Sequence, residues 1–128
     1  MILLDTHAWI WWANRSEKLS VSARRRIESE SELGVAVISC WEVAMLVEKR
    51  RLKMDREVGL WVRQALALPA VILVPLTPEI AVASTILPAD FQGDPADRMI
   101  VATARQHNIA VVTKDERIRA SKLVTTIW

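Results

Sequence analysis

Gly34-Val35-Ala36-Val37-Ile38-Ser39-Cys40-Trp41-Glu42-Val43-Ala44 is the stretch whose reading decides the architecture. Residues 35–38 form a short apolar run rich in valine and isoleucine, placed directly after a punctuating glycine, and predict a buried strand. Ser39 then opens a predicted helix reaching about Leu52, with Val43, Ala44, Leu46 and Val47 supplying its apolar faces. A strand with one wet face alternates apolar and polar residues. A continuous apolar run leading into a helix points instead to a parallel sheet covered on both faces.

The same alternation continues outward. Upstream, residues 2–4 are a short apolar run, followed by Asp5-Thr6 and an apolar, tryptophan-rich stretch predicted to be helical. Residues 20–30 carry helix formers, with Val21, Ala23 or Arg24, and Ile27 near helical spacing. Downstream, residues 57–68 predict a helix closed by Pro69, and residues 71–76 a β-branched strand with Pro75 at its end. Thr77-Pro78 begins another helix, since threonine caps and proline suits the first helical position. After a loop at 88–93, Asp94-Pro95 starts a helix to about Gln106, with Asn108 as its stop. A strand at 110–113, a helical turn at 115–120 and a last short strand at 123–127 complete the pattern. The expected fold class is an α/β sandwich around a mainly parallel sheet. No repeat or long linker divides residues 1–128, so one domain is expected.

Of the 128 residues, 52% are hydrophobic and 25% charged, a balance that supports a folded core rather than disorder. No apolar run is long enough to cross a bilayer, and no basic segment precedes the N-terminal apolar stretch as in a signal peptide. The single cysteine, Cys40, excludes an intramolecular disulfide and suits a reducing cytoplasm. Its apolar helical context reads as core rather than as a thiol nucleophile. Net charge is only +2, too small to identify a nucleic-acid binder, but the basic residues are clustered. Arg24, Arg25 and Arg26 form one group, and Lys49, Arg50, Arg51 and Lys53 another; each either holds phosphates or is a solvated helix face. Six tryptophans stand against no tyrosine. Trp9, Trp11 and Trp12 cannot all face one core, which leaves partial burial or an interface for some of them.

Four carboxylates carry the functional reading. Asp5 directly follows the first strand, and Glu42 lies one helical turn beyond the strand at 35–38. Asp97 lies one turn into the helix begun by Asp94-Pro95, and Asp115 follows the strand at 110–113 with only Lys114 between. Ligands of parallel α/β sheets sit beyond the carboxyl ends of the strands, where these acids would converge. Each acid also has an ordinary local role. Asp5 and Asp115 suit helix N-caps, and Ser39 with Glu42, like Asp94 with Asp97, has capping-box spacing. The joint placement argues further. At ~4 Å and an effective dielectric of about 20, each like-charged pair costs on the order of 4 kcal/mol. Such a cluster binds cations, takes up protons or spreads apart.

Oxygen-only donors suit Mg²⁺ or Mn²⁺. His7 and His107, the only histidines, form no compact zinc set with Cys40. A divalent cation among carboxylates activates water for attack on phosphorus and offsets the developing charge. The scattered Gly34, Gly59 and Gly93 make no Walker A loop. A dehalogenase-type phosphatase would need a second aspartate where His7 stands, and a receiver domain would need a phosphoacceptor aspartate after the strand at 71–76.

Leu3-Leu4-Asp5-Thr6-His7-Ala8, Ile38-Ser39-Cys40-Trp41-Glu42-Val43-Ala44, Gly93-Asp94-Pro95-Ala96-Asp97-Arg98-Met99-Ile100 and Val112-Thr113-Lys114-Asp115 follow one another in an order that resembles PIN-domain proteins, and specifically VapC-type toxins of type II toxin–antitoxin pairs. The resemblance implies a three-layer α/β/α sandwich and a Mg²⁺- or Mn²⁺-dependent endoribonuclease. It further implies a homodimer and neutralisation by a cognate VapB-type antitoxin. The family's metal-binding acids carry over to Asp5, Glu42, Asp97 and Asp115. Thr6 and Thr113 match hydroxyl positions that orient carboxylates or water. Asp94 is either an outer acid or, as we favour, the cap of its helix; Arg98 contacts a phosphate or pairs with an acid. Gln92 replaces a frequent histidine and Arg51 a frequent glycine, which bears on substrate choice rather than on the acids. The alternative is a catalytically inactive PIN-like module that binds RNA or protein, against which the intact set of acids counts.

Overall fold

The computed structural model describes residues 1–128. The chain runs β1 (Ile2–Leu4), α1 (Thr6–Ala13), α2 (Val21–Ser29), β2 (Leu33–Ala36), α3 (Val37–Glu48), α4 (Val58–Leu66), β3 (Val71–Val74), α5 (Pro78–Thr85), α6 (Pro95–His107), β4 (Val111–Val112), α7 (Glu116–Ser121) and β5 (Thr126–Ile127). The five strands form one sheet in the order β3-β2-β1-β4-β5, with every neighbouring pair parallel. The expected mainly parallel sheet is thus parallel throughout, and the fold is the expected α/β/α sandwich.

Strand β1 shows how the sheet divides the core. Ile2 and Leu4 face a cluster containing Trp9, Ile27, Val43 and Trp61, contributed by α1 to α4. Leu3 points the other way, into Ala36, Val74, Ile100, Ala104 and Val111 beneath α6. Residues that alternate between faces can all be apolar only where both faces are covered. Each fully buried aliphatic side chain of this kind contributes roughly 1.5–3 kcal/mol.

The strand ends differ from those the apolar runs suggest, and β2 lies two residues earlier: Gly34, read as punctuation ahead of the strand, pairs within it. Residues 35–38 were expected as a strand and Ser39 as a helix start, but β2 ends at Ala36 and α3 begins at Val37. Register supplies the reason. Leu4, the last residue of β1, pairs with Val35, and Val74, the last of β3, pairs with Ala36. Residue 37 therefore has no strand partner on either side, and the helix satisfies its backbone instead. The expected capping box of Ser39 and Glu42 is absent. The N-cap is Ala36, without a side-chain hydrogen bond, which leaves the Ser39 and Glu42 side chains free for other contacts. The same exhaustion of partners stops β3 at Val74 and limits β5 to two residues beside the two of β4.

The other end signals behave as expected. Thr77 caps α5 ahead of Pro78, Asp94 caps α6 ahead of Pro95, and Asn108 closes α6 in the left-handed region at φ 52°. Trp9 is fully buried with its ring edge-on to Trp61 at 5.0 Å. Trp11 and Trp12 are half-buried, so partial burial accounts for them, whereas Trp41 is 55% exposed. Cys40 is half-buried against the first core cluster. No helix is long and apolar enough to cross a membrane.

Candidate metal centre

From β1 the sheet grows to β2 on one side and to β4 on the other. The connections diverge there and leave a crevice beyond the carboxyl ends of the strands, which is where parallel sheets bind ligands. Asp5 is the first residue past β1. Its backbone N–H donates to Val112 O at 3.0 Å, so the ladder to β4 fixes its position. One carboxylate oxygen accepts from Thr6 N (2.8 Å), capping α1, and the other accepts from the Thr113 hydroxyl (2.6 Å). Thr113 Oγ1 in turn accepts from Asp115 N (3.0 Å), coupling the turns after β1 and β4. Asp115 caps α7 through one oxygen, taking the amides of Arg117 and Ile118. The capping and site-forming readings of Asp5 and Asp115 are therefore compatible, since a carboxylate has more lone-pair sites than one cap uses.

Glu42 enters from α3. Its Oε1 accepts from Thr6 Oγ1 at 2.5 Å, and the Ser39 hydroxyl lies 2.9 Å from the same Thr6 oxygen. With its single proton committed to Glu42, Thr6 accepts from Ser39. Asp97 enters from α6, where the expected box forms: Asp97 N donates to Asp94 Oδ1 (2.9 Å) and Asp94 N to Asp97 Oδ2 (3.4 Å). The box sets Asp94, itself exposed, at the edge of the cleft as well as capping with it. Carboxylate oxygens of Glu42, Asp94 and Asp97 lie within 4.8 Å of one another, while Asp5 and Asp115 line the same cleft outside this trio.

Gly93 makes the approach possible. A Cβ there would stand 2.6 Å from the Phe91 ring and 3.0 Å from the Asp97 Cβ. Gly93→Ala is therefore expected to displace the start of α6, destabilise the fold by roughly 1–3 kcal/mol and weaken Mn²⁺ binding. Denaturant unfolding and Mn²⁺ titration of the variant check this; unchanged values in both would show that the loop accommodates the methyl group.

The cleft, of about 460 Å³, is also lined by His7, Trp11, Met45, Arg51, Lys114 and Arg117. Asp97 is only 7% exposed, and its carboxyl is pushed up to about 7, first by burial and then by Asp94, Asp5, Asp115 and Glu42. Burial also raises Asp5, against the opposing hydrogen bonds from Thr113 and Thr6. It raises Glu42 too, where the Thr6 hydroxyl opposes the shift and Asp5 and Asp94 reinforce it. One guanidinium touches the acids: Arg117 Nη2 lies 3.2 Å from Asp97 Oδ2 and 3.3 Å from Asp115 Oδ2. Arg117 in contact, with Arg51 and Lys114 also lining the cleft, still leaves the five carboxylates in excess, and all the clustered donors are oxygen. That chemistry fits a hard divalent cation.

Other expectations resolve differently. Arg98 pairs with no acid: its guanidinium donates to Ser84 O in α5 (3.0 Å) and to Phe91 O in the loop ahead of α6 (3.2 Å). Of the second basic cluster, Arg51 reaches the cleft. The left-handed residue after α3 is Arg50, at φ 56°. In the first cluster Arg24 donates to Ser16 O and Arg26 pairs with Glu30, leaving Arg25 exposed. Sequence reasoning overlooked Arg117, Trp11 and Lys114 as lining residues. The available signal for Arg117 was its place two residues after a helix-capping aspartate, in the first turn.

Comparison with known proteins agrees with this geometry. The family model described as PIN domain matches residues 2–122. Ribonuclease VapC22 of Mycobacterium tuberculosis is 40% identical, over 99% of this chain and 98% of that protein. Among solved structures, VapBC2 from Rickettsia felis, bound to a DNA fragment from its promoter, superposes with a TM-score of 0.72 at 15% identity, over 98% of this chain and 97% of that one. DNA-bound VapBC from Salmonella typhimurium gives 0.71 at 17% identity over the same shares.

Proposed function

The chain belongs to the PIN-domain family, in its VapC branch, and from that premise we propose that it is a divalent-metal-dependent endoribonuclease, the toxin of a toxin–antitoxin pair. The observation that carries the metal dependence is the convergence of Asp5, Glu42, Asp94, Asp97 and Asp115 on one cleft. Asp5, Glu42, Asp97 and Asp115 are the residues that would hold Mg²⁺ or Mn²⁺. Asp94, within 4.8 Å of Glu42 and Asp97, acts directly or through water. A divalent cation held there would supply Lewis acidity, for lowering the pKa of water and for offsetting charge on phosphoryl oxygens.

The chain's own residues set up this chemistry. Thr6 and Thr113 each commit a hydroxyl proton to a carboxylate oxygen, which keeps Glu42 and Asp5 in fixed rotamers before any ligand arrives. Burial on α3 and α6 keeps water from screening the acids. Lys114 and Arg51 at the rim offer positive charge to the flanking phosphates of an RNA strand. Trp11, half-buried in the cleft wall, has the Lys114 ammonium 5.9 Å over its ring, which holds that charge at the cleft. The expected products are a 5′-phosphate and a 3′-hydroxyl. A VapB-type antitoxin as the neutralising partner, a homodimeric state and a cytoplasmic location belong to the same proposal.

The test is incubation of the antitoxin-free protein with a pool of structured RNAs, tRNA included, in Mg²⁺ or Mn²⁺. Discrete cuts that vanish with EDTA are expected. Cleavage that persists in EDTA would overturn metal dependence, and a folded protein that neither cuts RNA nor binds Mn²⁺ would favour the inactive, binding-only reading.

A further inference from the structure

Arg117 is the cationic side chain in contact with the acid cluster, and its contacts are divided in a telling way. Nη2 lies between Asp97 and Asp115, at 3.2 and 3.3 Å, while Nη1 donates to Gln92 O at 3.2 Å. Asp97 comes from α6 and Asp115 from the cap of α7, both lining the cleft, and like charges so placed would separate without a cation between them. We propose that the Arg117 guanidinium is the resident cation of the metal-free cleft, holding Asp97 and Asp115 in place and giving way when a divalent ion binds. The inference rests on the metal-binding reading above.

Three features favour exchange over a permanent pair. The Arg117 side chain is 53% exposed, so it can leave by rotating into solvent without disturbing the core. Its partners Asp97 and Asp115 are two of the four acids assigned above to the ion, so guanidinium and ion meet as like charges at the same carboxylates. The α7 backbone is held independently, by Asp115 Oδ1 accepting the Arg117 and Ile118 amides, so α7 keeps its cap when the side chain moves. Arg117 is accordingly a positioning residue for the empty cleft and a competitor of the ion.

The deciding experiment is calorimetric titration of Mn²⁺ alone into the unmodified protein, Arg117→Gln and Arg119→Gln, with melting temperatures recorded in EDTA. Arg119 shares α7 but touches none of the acids, so it controls for a general loss of positive charge. Arg117→Gln should bind Mn²⁺ about three- to tenfold more tightly and melt at a lower temperature when metal-free, since an exposed ion pair is worth little but is lost entirely. Arg119→Gln should leave the Mn²⁺ Kd unchanged within about twofold. Equal or weaker binding by a folded Arg117→Gln would overturn the inference while leaving the metal site standing. Failure of the unmodified protein and both variants to bind Mn²⁺ would overturn the metal reading itself.

Discussion

Asp97→Asn is expected to lower RNA cleavage by at least about 10³-fold and, in the same protein, to raise the stability of the metal-free form. The loss of activity follows from removing a negative donor from the centre of the cluster, within 4.8 Å of both Glu42 and Asp94. The gain in stability follows from the same position. An ionised Asp97 is buried and faces four other acids, which is why its carboxyl is pushed up to about 7. Asparagine keeps the shape without the charge. The α6 cap survives, because Asp94 accepts from the backbone amide of residue 97 rather than from its side chain. Arg117 loses one partner and keeps Asp115. A net gain of one to a few kcal/mol, several degrees in Tm, is expected at pH 8 in EDTA. Cleavage assays paired with calorimetry check both halves. Undiminished activity would remove Asp97 from the site, and a lower Tm would show that the acids are not in conflict.

Without metal, the protein should become less stable as pH rises from about 4 to 7. Asp97 has a folded-state pKa near 7 against an ordinary 3.8, so the folded state binds more protons between these values. Stability then falls with pH across that window: the contribution is fully present below 3.8 and lost as pH passes about 7. Asp5 and Glu42 are raised in the same direction and add to the slope. Mn²⁺ should reverse the trend, because it binds the deprotonated carboxylates. At a hundred times its Kd it would add about 2.7 kcal/mol, roughly 10 °C in Tm for a chain of this size. Thermal melts across pH, with EDTA and with Mn²⁺, read both effects. A flat profile in EDTA together with no Mn²⁺ shift would mean that the carboxylates do not act on one another.

How far the sequence alone reaches can be judged from particular residues. Apolar runs such as Ile2–Leu4 and the Val-rich stretch after Gly34 determined a parallel sheet with both faces covered, because no other arrangement buries consecutive residues that point in opposite directions. Thr77-Pro78, Asp94-Pro95 and Asn108 determined where helices begin and end, because caps are local chemistry. The order of the acids along the chain, taken with strand direction, was enough to bring Asp5 and Asp115 to one edge.

Tertiary structure decided what local chemistry could not. The ends of β2 and β3 depend on where their partners stop, and so does the first turn of α3, which released Ser39 and Glu42 from capping to meet Thr6. The nearness of Asp94 to Glu42 depends on the approach of α3 to α6. The bonds of Arg98 to the carbonyls of Ser84 and Phe91 and the reach of Arg117 to Asp97 depend on segments 7 to 20 residues apart in the chain. Helix and strand periodicities fix which way a residue points from its own element. A contact between elements exists only after those elements have packed, so the acids could be read from the sequence while the arginine between them could not.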